Sequence, residues 1–175
     1  DKSLSIEGAI DLASQLQVLG GEFADISAMD LFAAAQSGDM NAFVDELVGR
    51  FRKDAKRFGK INEKGMFQFD AQGRLLLRAF QNIEGLGFDG DIEGIIEKAG
   101  KEEEVRRQLM SGKNKDVFAQ FDEEKQRKII ENLAQGSTAE LNISGQKFKD
   151  QLIDFSTLVL DETASNLTVG PETAK

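Results

Sequence analysis

No cysteine and no histidine occur in this chain, and neither tryptophan nor tyrosine. Without cysteine there is no disulfide and no thiolate. Without imidazole the side chain best suited to proton transfer near neutral pH is missing, and so is the usual zinc ligand. Ser-His-Asp and Cys-His nucleophiles are therefore excluded. Carboxylate chemistry of the glycoside-hydrolase kind stays open, and would need two acids with displaced pKa values in one cleft. Phenylalanine is the sole aromatic, which leaves poor platforms for sugars. Long apolar runs are lacking too: Leu75–Leu77 is far too short to span a bilayer. The opening DKSLSIEGAIDLAS has no basic start followed by an apolar core, so it does not read as a secretory signal. These absences point away from an enzyme, a bound cofactor, a metal and a membrane.

What is there is a helical, acidic protein. Of its 175 residues 40% are hydrophobic and 30% charged, enough for one ordinary domain or two small ones, and the formal net charge is −9. Such a surface repels phosphate backbones, so no specific nucleic-acid binding is expected.

Hydrophobic spacing carries the fold. SIEGAIDLASQLQVLGG sets Ile6, Ala9, Ile10, Ala13 and Leu16 on one helix face, capped by Ser5 and closed by Gly20–Gly21. Ser27 opens the short helix AMDLFAAAQ, which stops at Gly38. Asp39 caps MNAFVDELVGRFRKDAKRF, where Phe43, Leu47, Phe51, Ala55 and Phe58 align. Met66–Phe69 alternates and reads as an extended lead-in to a helix capped by Asp70 and ending near Glu84. Gly73, in the first turn of that helix, counts against it by about 1 kcal/mol.

Further on, KEEEVRRQLM turns Val105 and Leu109 inward, and Asp122 caps EEKQRKIIENLAQ, which Gly136 should end. Leu141 and Ile143 then alternate with polar residues around a Ser144–Gly145 turn. A final helical stretch carries Leu152, Phe155, Val159 and Ala164. The fold class is mainly α: a compact multi-helix domain with one small β-hairpin near residues 139–148. Residues 1–60 form an N-terminal helical part and 61–175 a helical part with the hairpin, together one compact unit. The phenylalanines, Phe43, Phe51, Phe80 and Phe155 among them, should carry the core.

Three local patterns invite a functional reading. The block RFRKDAKRFGK concentrates positive charge, and Arg50, Arg52, Lys53, Lys56 and Arg57 are the candidate contact with an acidic partner, which includes this chain's own acidic helices. The plainer reading is a solvated positive face that offsets the helix dipole. DGDIEGIIEKAG resembles a calcium loop, with Asp89, Asp91 and Glu93 at its first, third and fifth places and Gly94 at its sixth. Its twelfth place is Gly100, so the bidentate glutamate is missing, and Asp89 reads instead as a helix cap. The preceding glycine turn gives a helix-turn-helix outline, but the second helix is acidic and would be repelled by DNA.

The order AMDLFAAAQSGDMNAFVDELVGRF, then FQFDAQGRLLLRAFQNIEGLGFDGDIEGIIEKAG, then FDEEKQRKIIENLAQ into AELNISGQKF, resembles a module of long structural proteins of tailed bacteriophages, of the tail tape-measure or internal virion type. The resemblance covers roughly residues 29–155 and brings no catalytic residues. It implies a non-enzymatic viral structural protein, located in the virion (tail or capsid interior), whose partners are other virion proteins and further copies of itself. The start at Asp1 without Met, and the open Val169-Gly170-Pro171 end, fit a fragment of a longer chain. No sustained heptads appear, so a folded module is expected rather than an extended ruler. The alternative is a helical protein–protein interaction module of the bacterial cytoplasm.

Overall fold

The computed structural model describes residues 4–111 and 115–140. Helix α1 (Ile6–Gln17) is followed by a 3-10 turn (Gly21–Phe23), α2 (Ala28–Ser37) and α3 (Met40–Lys53). A second 3-10 turn (Ala55–Arg57) leads into strands β1 (Gly59–Ile61) and β2 (Phe67–Phe69), then α4 (Ala71–Glu84). The helices α5 (Ile92–Ser111), α6 (Lys115–Ala119) and α7 (Glu123–Glu140) complete the described chain. The protein is mainly helical, and the described residues hold one two-stranded antiparallel hairpin.

Side-chain caps start the helices where the sequence places them. Ser5 Oγ accepts from the Gly8 amide at 2.9 Å, and Ser27 Oγ from Asp30 at 3.1 Å. Asp70 accepts from Gly73 at 2.9 Å and Asp122 from Lys125 at 2.8 Å. Each satisfies an amide that has no partner within its helix. Asp39 precedes α3, but its carboxylate makes no capping bond.

Several expected boundaries shift. On α1 the buried residues are Ala9, Ala13 and Leu16, while Ile6 and Ile10 are 47% and 50% exposed. The inward stripe thus runs through the small alanines, and α2 packs against it. Helix α3 stops at Lys53, yet the following 3-10 turn still buries Ala55, and Phe58 after it. Helix α5 runs unbroken through Gly100 into the charged segment. The Phe67 ring lies about 2.8 Å from where a Cβ on Gly100 would stand, so this glycine permits close packing.

Helix α7 likewise passes Gly136 to Glu140. A lone glycine costs a helix about 1 kcal/mol and does not by itself stop it. Ala139 and Glu140, expected at the start of the hairpin, are therefore helical, and residues 141–148 lie outside the described residues, as does Phe155. Among the described residues a hairpin is formed by β1 and β2. Its turn is built on Asn62, whose side chain accepts from the amides of Lys64 at 2.9 Å and Met66 at 3.1 Å.

The chain divides into two compact units. Described residues of the first are 4–60 and 67–100; those of the second are 61–66, 101–111 and 115–140. The first has a core of phenylalanine rings: Phe23 packs edge-on against Phe58 at 5.9 Å and Phe80 at 6.1 Å, and Phe51 against Phe67 at 6.1 Å. Phe43, Phe51 and Phe80 are buried there as expected. In the second, Val105, Leu109, Phe118, Ile129, Ile130 and Leu133 share a cluster, with Ile61 against it. No described helix is long and apolar enough to cross a membrane.

Candidate functional site

The basic block divides into two roles. Arg50, in the last turn of α3, donates from Nη1 to Asp25 at 2.6 Å and to the Glu22 carbonyl at 2.7 Å. Its Nη2 donates to Glu46, one helical turn back, at 3.0 Å. The hydrogen bond and the charge of Arg50 hold the Asp25 carboxyl below its ordinary range. In return the bonds to Asp25 and Glu46 raise the pKa of Arg50.

Arg57 is bound more tightly still. It donates from Nη1 to the Leu19 carbonyl at 2.5 Å and from Nη2 to the Gly20 carbonyl at 3.1 Å. It also meets Asp54 at 2.9 Å and Gln72 at 3.0 Å, with Cζ 4.4 Å from the centre of the Phe58 ring. Gly21 lies so close that a Cβ there would stand 2.9 Å from this guanidinium and 2.7 Å from Asp54. Both arginines thus clasp the connection between α1 and α2. Arg52 is half-buried, whereas Lys53 and Lys56 are exposed.

Lys56 lines an open groove of about 560 Å³ together with Lys60, Arg74, Asp70, Gln68 and Phe69. The groove follows from local structure. Strand alternation turns Phe67 into the core and Gln68 outward, β1 presents Lys60 outward, and Asp70 starts α4 so that Arg74 falls one turn in. Asp70 is occupied in capping, and Arg74 donates to the Phe69 carbonyl at 3.4 Å. Among the described residues no carboxylate forms an ion pair with Lys56, Lys60 or Arg74. A positive groove thus stands on a chain of net charge −9. The sequence pattern located Lys56 but not Arg74, which lies well outside the basic block. The signal for it was the Asp70 cap, because a capped helix places its fourth residue back over the preceding strand.

A second groove, of about 360 Å³, lies between α2 and α3 and is acidic: Asp30, Asp39 and Glu46 surround Ala33, Ala42 and Phe43. Glu46 is held by Arg50, while the Asp39 carboxylate is not engaged in capping.

The calcium-like stretch resolves into a helix start. Asp91, rather than Asp89, is the cap, its Oδ1 accepting from the Gly94 amide at 3.2 Å. Glu84 at the end of α4 accepts from the Ile92 amide at 3.1 Å. The acids here therefore serve helix amides, which supply the positive end of the helix dipole. Among the described residues no group of three or more potential ligands is arranged to hold a metal ion.

Neither protein-family models, nor curated protein sequences, nor solved structures give a match to this chain.

Proposed function

We propose that this protein is a non-enzymatic structural module that works through protein–protein contact, and that it is a folded segment of a tape-measure-like or internal virion protein of a tailed phage. The observation that carries the contact reading is the groove at Lys56, Lys60 and Arg74, whose cations are exposed and, unlike Arg50 and Arg57, form no ion pair with a described carboxylate. Shape and charge there suit a carboxylate-bearing protein surface better than a reaction, since the groove's one carboxylate, Asp70, is spent on the α4 cap. The virion context rests on the sequence resemblance over roughly residues 29–155.

A bacterial helical interaction module is the second reading, favoured by Ile6 and Ile10, which lie four residues apart on α1 and are about half exposed. Quantitative peptide mapping of purified phage particles from the source culture separates the two. Peptides of this chain recovered in fixed ratio to tail or head proteins support the virion reading. Recovery only from the bacterial soluble fraction overturns it in favour of the second.

A further inference from the structure

The two grooves of the first unit are opposite in charge and share no residue. We propose that this unit associates head-to-tail with a second copy of the same chain, the basic side chains Lys56, Lys60 and Arg74 around one groove meeting the acidic Asp30 and Asp39 around the α2–α3 groove of the next. The proposal rests on the protein-contact reading above and names the partner.

Each groove mixes apolar and charged lining, as interfaces do. Phe69 and Ala71 line the basic groove beside its cations, and Ala33, Ala42 and Phe43 the acidic one beside its carboxylates. The rim charges are available: no described carboxylate pairs with Lys56 or Lys60, and Asp39 stands at a helix start without capping it. A carboxylate partner also explains why the groove is positive on a chain whose net charge would repel a nucleic acid. Because the two surfaces differ, each docked copy keeps one groove of each kind in play across the assembly. Such a contact closes into a ring or extends as a filament, and does not stop at a two-fold dimer. Like other charge-steered contacts it should weaken steeply with salt.

The test is sedimentation of the full chain over a concentration series, at about 20 mM and about 500 mM salt, where the Debye length shrinks several-fold. The expected result is a mass that rises with concentration in low salt and falls to the monomer in high salt. Reversing one groove alone, K56E/K60E or D30K/D39K, should abolish the association. Reversing both in one chain should restore it, because the two surfaces are complementary again while the net charge is unchanged. Circular dichroism checks that each variant is folded. The milder Lys60→Gln and Asp39→Asn changes, at exposed positions, should each weaken association several-fold. A wild-type chain that stays monomeric at the highest concentration in low salt overturns the proposal, as does a doubly reversed chain that fails to associate while folded. Either failure leaves the particle peptide mapping untouched, so the wider reading stands or falls separately.

Discussion

Gly73, in the first turn of α4, lies against the carbonyl of Phe58 so closely that no Cβ fits between them. That same carbonyl accepts from the Asp70 amide at 2.9 Å, which ties the start of α4 to the end of the basic block. Helix propensity alone says that Gly73→Ala should stabilise the helix by about 1 kcal/mol. The packing says the opposite. Forcing a methyl against backbone should cost about 1–3 kcal/mol, as overpacked cores do. Urea unfolding of the variant, read as a lower midpoint at unchanged slope, checks the sign.

Arg57 and Lys56 are neighbours with opposite fates, and their substitutions should show it. Replacing Arg57 with Lys removes a planar fork that reaches the Leu19 and Gly20 carbonyls, Asp54 and Gln72 together. One ammonium cannot meet that geometry, and a loss of about 1–3 kcal/mol is expected. Lys56→Ala, at an exposed position without such partners, should stay within about 0.5 kcal/mol of wild type. Thermal melts of both variants side by side would expose an equal loss, which would contradict the division of the block into clasp and free rim.

Much of the helical outline was legible because caps and apolar spacing are local signals. Ser5, Ser27, Asp70 and Asp122 each needed only a few neighbouring residues to be read. What escaped depended on contacts far along the chain. Gly73 reads as a flaw until the Phe58 carbonyl is seen against it, and nothing local signals the Phe67 ring against Gly100. Lys101 and Glu102 begin a charged stretch of helix, yet they are only 7% and 5% exposed, and no local pattern signals that burial. The hairpin at β1 and β2 has a local signal of its own: Asn62-Glu63-Lys64-Gly65 between GKI and FQF, with Gly65 at φ 81°, is a turn sequence between short strands. The basic groove was half legible for the same reason. Lys56 and Lys60 are neighbours in sequence, whereas Arg74 joins them only through the fold.

The Asp25–Arg50 pair gives stability a definite pH dependence. The folded-state pKa of Asp25 is lowered from the ordinary 3.8, chiefly by the hydrogen bond from Arg50. Around and below 3.8 the unfolded chain therefore binds more protons at this site than the folded one, so stability rises with pH there. The contribution is fully present above the unfolded value and is lost as pH falls through the lowered folded value. Asp25 is exposed at the surface, so the effect should be small and should shrink further in high salt. Melting curves between about pH 2 and 5 compare wild type with Asp25→Asn. The difference between them should narrow as the pH falls, and a difference that stays constant would show that the carboxylate charge is not what Arg50 holds.

At the head of α5 the choice between cap and calcium ligand turns on which aspartate matters. Asp91 supplies the bond to the Gly94 amide, and Glu84 supplies the one to Ile92. If these acids cap the helix, Asp91→Ala should destabilise the protein by about 1 kcal/mol, the usual worth of such a cap. Asp89→Ala, two residues earlier and outside the capping geometry, should be nearly neutral. In a calcium loop both would be ligands, both losses would matter, and they would matter only with calcium present. Melting temperature and helicity should therefore stay unchanged on adding calcium to the wild type, and the Asp91→Ala deficit should be the same in calcium and in chelator. A calcium-dependent rise in melting temperature that vanishes in both variants would reverse the assignment. It would make the acids of DGDIEG ligands first and helix starters second.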